Sequence, residues 1–261
     1  MKLAVFSDLH IAPGAANRCT ASPAELLELF DHVERRADRV LVAGDLFDLD
    51  RPKLPGRWRD QLREIRRAFP QVTDRLESYE WIFGNHDGPL CRQTTPEERV
   101  WEAGGLRLLA LHGHQFDMPL KKLPGLAPTA NFVAGWMQRA GLHQLAGVMG
   151  VAPLLLDRLW HTASPGGSGP DRLLRGAFEL LERGPSDLVI CGHSHRLRLV
   201  AGPRRRGLFV NTGALCEGSV DWVLIDTEAA RVRAFRDGQS VQQAVLSNDC
   251  WNVEGQPPDM R

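Results

Sequence analysis

Five short apolar runs in this chain end alike, each in a tight polar turn that carries Asp, His or Asn. Leu3–Phe6 leads into Ser7-Asp8-Leu9-His10, and Val40–Ala43 into Gly44-Asp45-Leu46-Phe47-Asp48. Trp81–Phe83 leads into Gly84-Asn85-His86-Asp87, Leu108–Leu111 into His112-Gly113-His114, and Leu188–Cys191 into Gly192-His193-Ser194-His195. Runs this short, bounded by turn residues, read as strands. Where strands alternate with helices, sites form just beyond the carboxyl ends of the strands. The pattern predicts one edge on which Asp, His and Asn converge, with glycines in the turns that permit close approach.

Helical patterns lie between the runs. Ser22, Pro23 and Glu25 form a capping-box signal ahead of the stripe Leu26, Leu27, Phe30 and Val33. Arg57–Phe69, Pro96–Ala103 and Asp171–Arg183 read as further helices, the last stopped by Gly184-Pro185. Alternation of this kind indicates the α/β class. Arg196–Phe235 holds short strands with little room for helices, which predicts antiparallel pairing and hence a mixed sheet or two sheets. Residues 117–169 break the rhythm. Phe132, Trp136, Met137, Ala140, Leu145, Val148 and Met149 recur at roughly helical spacing there, and Leu154–Trp160 adds a second apolar stretch. We read one domain over residues 1–240, a helical cap inserted within it at 117–169, and a loosely held tail over 241–261.

Composition excludes several classes. Lys plus Arg (32) equals Asp plus Glu (32), and a dedicated nucleic-acid binder carries a basic excess. No nucleic-acid partner is expected. Five cysteines form no CxxC pair, which fits a reducing compartment better than a disulfide framework. No apolar run reaches the roughly 18 residues of a membrane-spanning helix. Removal of an N-terminal leader would take Asp8 and His10 with it. A cytoplasmic location follows, with contact at the inner membrane surface left open.

The chemistry of the turn residues is that of metal ligands. Imidazole suits Mn, Fe, Zn and Ni, whereas carboxylate and amide oxygens suit Mn and Mg. The donors suffice for two divalent ions. One carboxylate must then bridge, and Asp45, central in chain order, is placed for it. Two such ions, roughly 3.5–4 Å apart, clamp the attacking and leaving oxygens of a phosphoryl displacement.

Taken together, Asp8-x-His10, Gly44-Asp45-x-x-Asp48, Gly84-Asn85-His86-Asp87, His112-Gly-His114 and Gly192-His193-x-His195 resemble the calcineurin-like metallophosphoesterase superfamily. The resemblance implies a four-layer α-β-β-α sandwich of two mixed sheets. It implies that Asp8, His10 and His195 hold one ion, that Asn85, His112 and His193 hold the other, and that Asp45 bridges both. A water or hydroxide between the ions is then the nucleophile. His86 lies beside the leaving group, Asp48 orients the His86 ring, and Asp87 ties the turn together. Manganese is the expected metal, with Fe, Zn and Ni as alternatives. His114 is a substrate-facing neighbour of His112 or an outer support, with the ligand role itself, in place of His112, as the remaining alternative. Asn211-Thr-Gly213 reads as a structural turn near the site.

The reaction class implied is metal-assisted hydrolysis at phosphorus. The layout is similar to that of bacterial UDP-2,3-diacylglucosamine pyrophosphohydrolases, whose cap covers acyl chains. A departure is His86, where those enzymes commonly carry Arg. The leading expectation is a phosphodiesterase or pyrophosphohydrolase acting on a small or lipid-linked nucleotide. A phosphomonoesterase or protein phosphatase, and a non-catalytic scaffold with this fold, are the competing functions. Arg57, Arg59, Arg63, Arg66 and Arg67, and the cluster Arg204–Arg206, read as solvated surface or as contacts for anionic lipid.

Overall fold

The computed structural model describes residues 1–49, 57–87, 95–116, 172–204, 206–216 and 218–258, with positions 133 and 137. Two sheets organise them. Among these residues the first has seven strands and the second five. In the first sheet β1 (Lys2–Phe6) pairs in parallel with β2 (Arg39–Val42), and β2 with β3 (Glu80–Trp81). On its other side β1 pairs antiparallel with β9 (Asp221–Asp226), followed by β10 (Arg231–Arg236), β11 (Gln239–Ser247) and β12 (Cys250–Gly255). In the second sheet β5 (Leu106–Leu111), β6 (Leu188–Cys191) and β8 (Leu208–Asn211) are parallel. The strands β4 (Glu98–Ala103) and β7 (Arg198–Ala201) flank them antiparallel. Both sheets are therefore mixed.

Period-two alternation builds the layers. Leu3, Val5, Leu41, Leu108, Ile190 and Val223 meet between the sheets. Ala4, Phe6, Val42 and Trp222 face the opposite way, under Leu26, Phe30, Ile65 and Leu76. Those last four belong to α1 (Pro23–Glu34), α2 (Trp58–Ala68) and α3 (Pro70–Ser78). On the far side Val189, Cys191 and Phe209 lie under Leu173, Ala177 and Leu181 of α4 (Arg172–Arg183). Each large apolar side chain so buried contributes roughly 1.5–3 kcal/mol. The result is the α-β-β-α sandwich that the motifs imply. The capping box of α1 is present: Glu25 N–H donates to Ser22 Oγ at 3.3 Å, and Ser22 N–H to Glu25 Oε2 at 2.7 Å.

Several expectations change. Pro96–Ala103, read as a helix, holds strand β4 instead. Gly104 and Gly105 both take positive φ, 57° and 71°, and this two-residue turn folds β4 onto β5 with Ala103 opposite Leu106. The ladder outweighs the helical pattern. The stretch after Ser240 is not a loose tail. Asn248 and Asp249, at φ 52° and 58°, turn β11 into β12, and Ala244 and Trp251 enter the core between the sheets. Helix α3 was not anticipated; Pro70 opens it directly after α2. The cap expected over 117–169 lies outside the described residues, save Val133 and Met137, which are helical.

Candidate metal centre

The five motif turns follow β1, β2, β3, β5 and β6, all at carboxyl ends on one side of the sandwich. Backbone bonds tie neighbouring turns together: Asp8 N–H to Gly44 O at 3.0 Å, Leu9 N–H to Asp45 O at 2.9 Å, and Gly192 N–H to His112 O at 3.0 Å. Close approach of the two sheets requires glycine. A Cβ on Gly44, which has φ 92°, would run into the His112 ring and stand 2.9 Å from Gly84 Cα. One on Gly192 would run into the Ser7 and Asp8 side chains.

The backbone is unusual where the expected ligands sit. Asp8, His10, Asp45, His193 and His195 all adopt left-handed conformations, with φ of 56°, 51°, 56°, 67° and 55°. Such conformations cost non-glycine residues about 1–3 kcal/mol each and persist where surrounding structure imposes them. They turn these side chains inward to a common point.

Among the described residues four groups of donor atoms form there, two of them built on His10 with His195 and Cys216 and with Asp48 and His86. Asp8, His10 and Asp45 offer atoms within 4.8 Å of one another, and so do Asp45, His112 and His193. Asp45 belongs to these last two, and His10 to three of the four. Its Oδ2 is 3.2 Å from His112 Nε2 and 3.9 Å from His10 Nε2. Asp8 Oδ1 is 3.3 Å from His195 Nε2 and 3.8 Å from His10 Nε2. Asn85 stands in the turn after β3. Asp8 Oδ1, Asn85 Oδ1 and His112 Nε2 are buried without a hydrogen bond. Orphaned buried polar atoms are costly, and each needs an explanation. The two oxygens are acceptors, and His112 Nε2 is one when its ring is neutral; atoms of this kind fit a hard or borderline divalent cation.

Outer partners set each ring. His10 Nδ1 lies 2.7 Å from Asp48 Oδ1, His112 Nδ1 2.7 Å from Ala43 O, and His195 Nδ1 3.6 Å from Cys216 Sγ. Each arrangement leaves Nε2 for the interior, as metal-ligating histidines require. Ser7 Oγ donates to Asp8 Oδ2 and pairs with Thr212 Oγ1 at 2.7 Å. His193 N–H donates to the same Asp8 oxygen at 2.9 Å.

Charges follow the packing. Burial pushes the Asp8 carboxyl up, but His195 and His112 outweigh it and hold it at about 2. Asp45 and Asp48 are likewise raised by burial yet held well below the ordinary carboxylate value, Asp45 by His112 and His86 and Asp48 by His10 and His86. Burial lowers His10 against the pull of Asp48, which favours the neutral ring a metal needs. His112 is pushed down by burial, but Asp45 draws it up to about 9.

His86 stands beside these groups, its Nδ1 3.1 Å from Asp48 Oδ1 and its N–H donating to Asp45 Oδ1 at 2.8 Å. Its ring meets that of His10 edge-on at 4.7 Å. Asp87 does tie the turn: its carboxylate accepts from the N–H groups of Asp45, Gly84 and Phe47 at 2.8, 3.0 and 3.1 Å. Burial, then Asp45, pushes Asp87 up to about 7. His114 packs 5.5 Å from the His112 ring, centre to centre. Asn211 braces the turn after β6, donating to Gly192 O at 3.0 Å and Ser194 Oγ at 2.9 Å. His32 lies apart, against Trp222; His143 and His161 are outside the described residues. Sequence reasoning missed Ser7 and Cys216. Ser7 was findable as the neighbour of Asp8. Cys216, distant in sequence, carried no signal.

No curated protein matches the chain. Among solved structures it is similar to Vps29 of Cryptosporidium parvum (16% identity, 97% of this chain and 95% of that one, TM-score 0.45). It is also similar to zinc-bound Vps29 of Entamoeba histolytica (16%, 97% and 97%, TM-score 0.44). A third is a metallophosphoesterase of Sphaerobacter thermophilus (14%, 90% and 88%, TM-score 0.41). The calcineurin-like phosphoesterase family model matches residues 1–197, the span that holds all five turns. The chain belongs to the calcineurin-like phosphoesterases and is a metal-dependent phosphoester hydrolase.

Proposed function

We propose that the chain hydrolyses phosphodiesters or pyrophosphates of small molecules through a pair of divalent ions. The observation that carries this reading is Asp45, the one residue common to the Asp8–His10–Asp45 and Asp45–His112–His193 donor groups. Asp8, His10 and His195 would hold one ion, Asn85, His112 and His193 the other, and Asp45 both. Manganese is the expected occupant, with iron, zinc and nickel open to the same mixed donors. When bound, such ions polarise phosphoryl oxygens and make a water acidic enough to attack.

The protein's own groups do the rest. Asp48, ionised and buried, accepts from His86 Nδ1 and leaves Nε2 as the nitrogen that would deliver a proton to the departing oxygen. The same carboxylate holds His10 Nδ1, so one anion sets two rings. Ser7 and the His193 amide occupy Asp8 Oδ2 and leave Oδ1 for the interior.

The substrate class proposed includes lipid-linked nucleotides, with the protein acting in the cytoplasm and touching the membrane surface. Among the described residues no helix is long and apolar enough to cross a membrane. The arginine-rich helix does not favour strong lipid attraction. Arg57 and Arg63 pair with Asp60, and Arg66 with Glu77, while Arg206 pairs with Asp187 and Asp249.

The test compares manganese-loaded protein on bis(p-nitrophenyl) phosphate and on p-nitrophenyl phosphate. Faster turnover of the diester supports the proposal, and nucleotide-linked lipids follow as substrates. Faster turnover of the monoester would move the protein to the phosphatases. Co-sedimentation with anionic vesicles tests the membrane contact, which an unbound protein would rule out.

A further inference from the structure

Cys19 and Cys216 lie opposite each other in an isolated antiparallel bridge that joins the loop after β1 to the loop after β8. Both are free thiols. The backbone bond beside them runs from Thr20 N–H to Leu215 O, at 2.9 Å. It joins the residue after Cys19 to the residue before Cys216. The two cysteines are therefore the narrow, non-hydrogen-bonded pair, in which Cα atoms stand about 4.5 Å apart and side chains share a face. A disulfide spans Cα separations of roughly 4.4–6.8 Å.

The other neighbour of Cys216 is the metal centre. Its sulfur is 3.6 Å from His195 Nδ1 and lies within 4.8 Å of ring nitrogens of both His10 and His195. His10 and His112 rest on oxygen atoms, of Asp48 and of the Ala43 backbone. The third ring rests on sulfur, which can be oxidised where those oxygens cannot.

We propose that Cys19 and Cys216 close a reversible disulfide that turns the Cys216 sulfur away from His195 and loosens the hold on the metal. The loosening rests on the metal reading above; the bond itself does not. Closure forms one S–S bond. Each thiol gives up one proton and one electron, and a peroxide takes both pairs as its O–O bond breaks, yielding two waters from hydrogen peroxide. A small dithiol reverses the step by exchange. Cys216 is buried and Cys19 half-buried, so closure is slow compared with oxidation of an exposed thiol.

The test uses the full chain, reduced and then treated with hydrogen peroxide, alkylated and mapped by mass spectrometry. A Cys19–Cys216 cross-linked peptide that dithiothreitol removes is expected. Both cysteines alkylated, under conditions where the exposed Cys250 is already oxidised, overturns the proposal. Manganese binding is then measured by equilibrium dialysis and elemental analysis. Oxidised protein should bind about 10–100-fold more weakly than reduced. Cys19→Ser leaves Cys216 on His195 but cannot cross-link, so its affinity should survive peroxide; an equal loss there overturns the proposal. Equal affinity of the reduced and oxidised wild type overturns the loosening and leaves the metal reading intact. No manganese on reduced protein sinks the metal reading, and the loosening with it, whatever the peptide map shows.

Discussion

Asp48 Oδ1 lies closer to His10 Nδ1, at 2.7 Å, than to His86 Nδ1, at 3.1 Å. The carboxylate that sequence comparison gives to His86 alone thus also sets a ring of the metal centre. Asp48→Asn removes the anion while keeping the shape. It should lower kcat by about 10²–10⁴ and also weaken manganese binding by about 10–100-fold. Kinetics under saturating metal, with metal titration in parallel, separate the two effects. Loss of rate with unchanged metal affinity would confine Asp48 to His86.

His86→Ala should divide cleanly from that variant. It should retain both ions by elemental analysis and lose on the order of 10²–10⁴ in rate. The loss should be smaller for substrates with acidic leaving groups, which need no proton on departure. Release of an ion would make His86 a ligand and undo its assignment.

Asp45→Asn should cost metal before it costs fold. Three buried carboxylates, Asp8, Asp45 and Asp48, stand together in the centre, and bound cations offset their repulsion. Ion binding at 100 times Kd stabilises a fold by about 2.7 kcal/mol. A chelator should therefore lower the wild-type Tm by several degrees and leave Asp45→Asn nearly unmoved. Two ions retained by the variant would contradict the shared role.

Trp251→Ala should destabilise the chain by about 3–5 kcal/mol. The indole is 3% exposed and its Nε1–H donates to Arg206 O at 2.8 Å. The urea midpoint measures the loss. A shift of only a few tenths would mean that β12 hangs loosely on the sheet.

The donor turns were legible because their chemistry is written in residue type and because each follows an apolar run. Asp8, His10, Asp45, His112, His193 and His195 meet as the strand ends imply. The strands β11 and β12 were not legible. Gln239, Ser240, Gln242 and Gln243 look like solvated chain, and Gln242 is nonetheless buried, its side chain accepting from Leu199 N–H at 2.9 Å. Strand β4 hid behind its charged residues, and of its six residues only Trp101 is buried. The Gly104-Gly105 turn was the available signal. The sharing of Asp48 between two rings, and the sulfur behind His195, depend on which turns become neighbours, and no local pattern states that.

The donor groups take Asp8, His10 and Asp45 from turns of the first sheet and His112, His193 and His195 from turns of the second. Neither sheet alone holds a complete set of donors. Strand β1, which presents Asp8, is locked on one side by β9, made from residues 221–226. Strand β9 follows His195 in the chain, so every one of these donors precedes the strand that closes the free side of β1. If the ions bind as proposed, an ion-bound chain is one in which the two sheets have already come together.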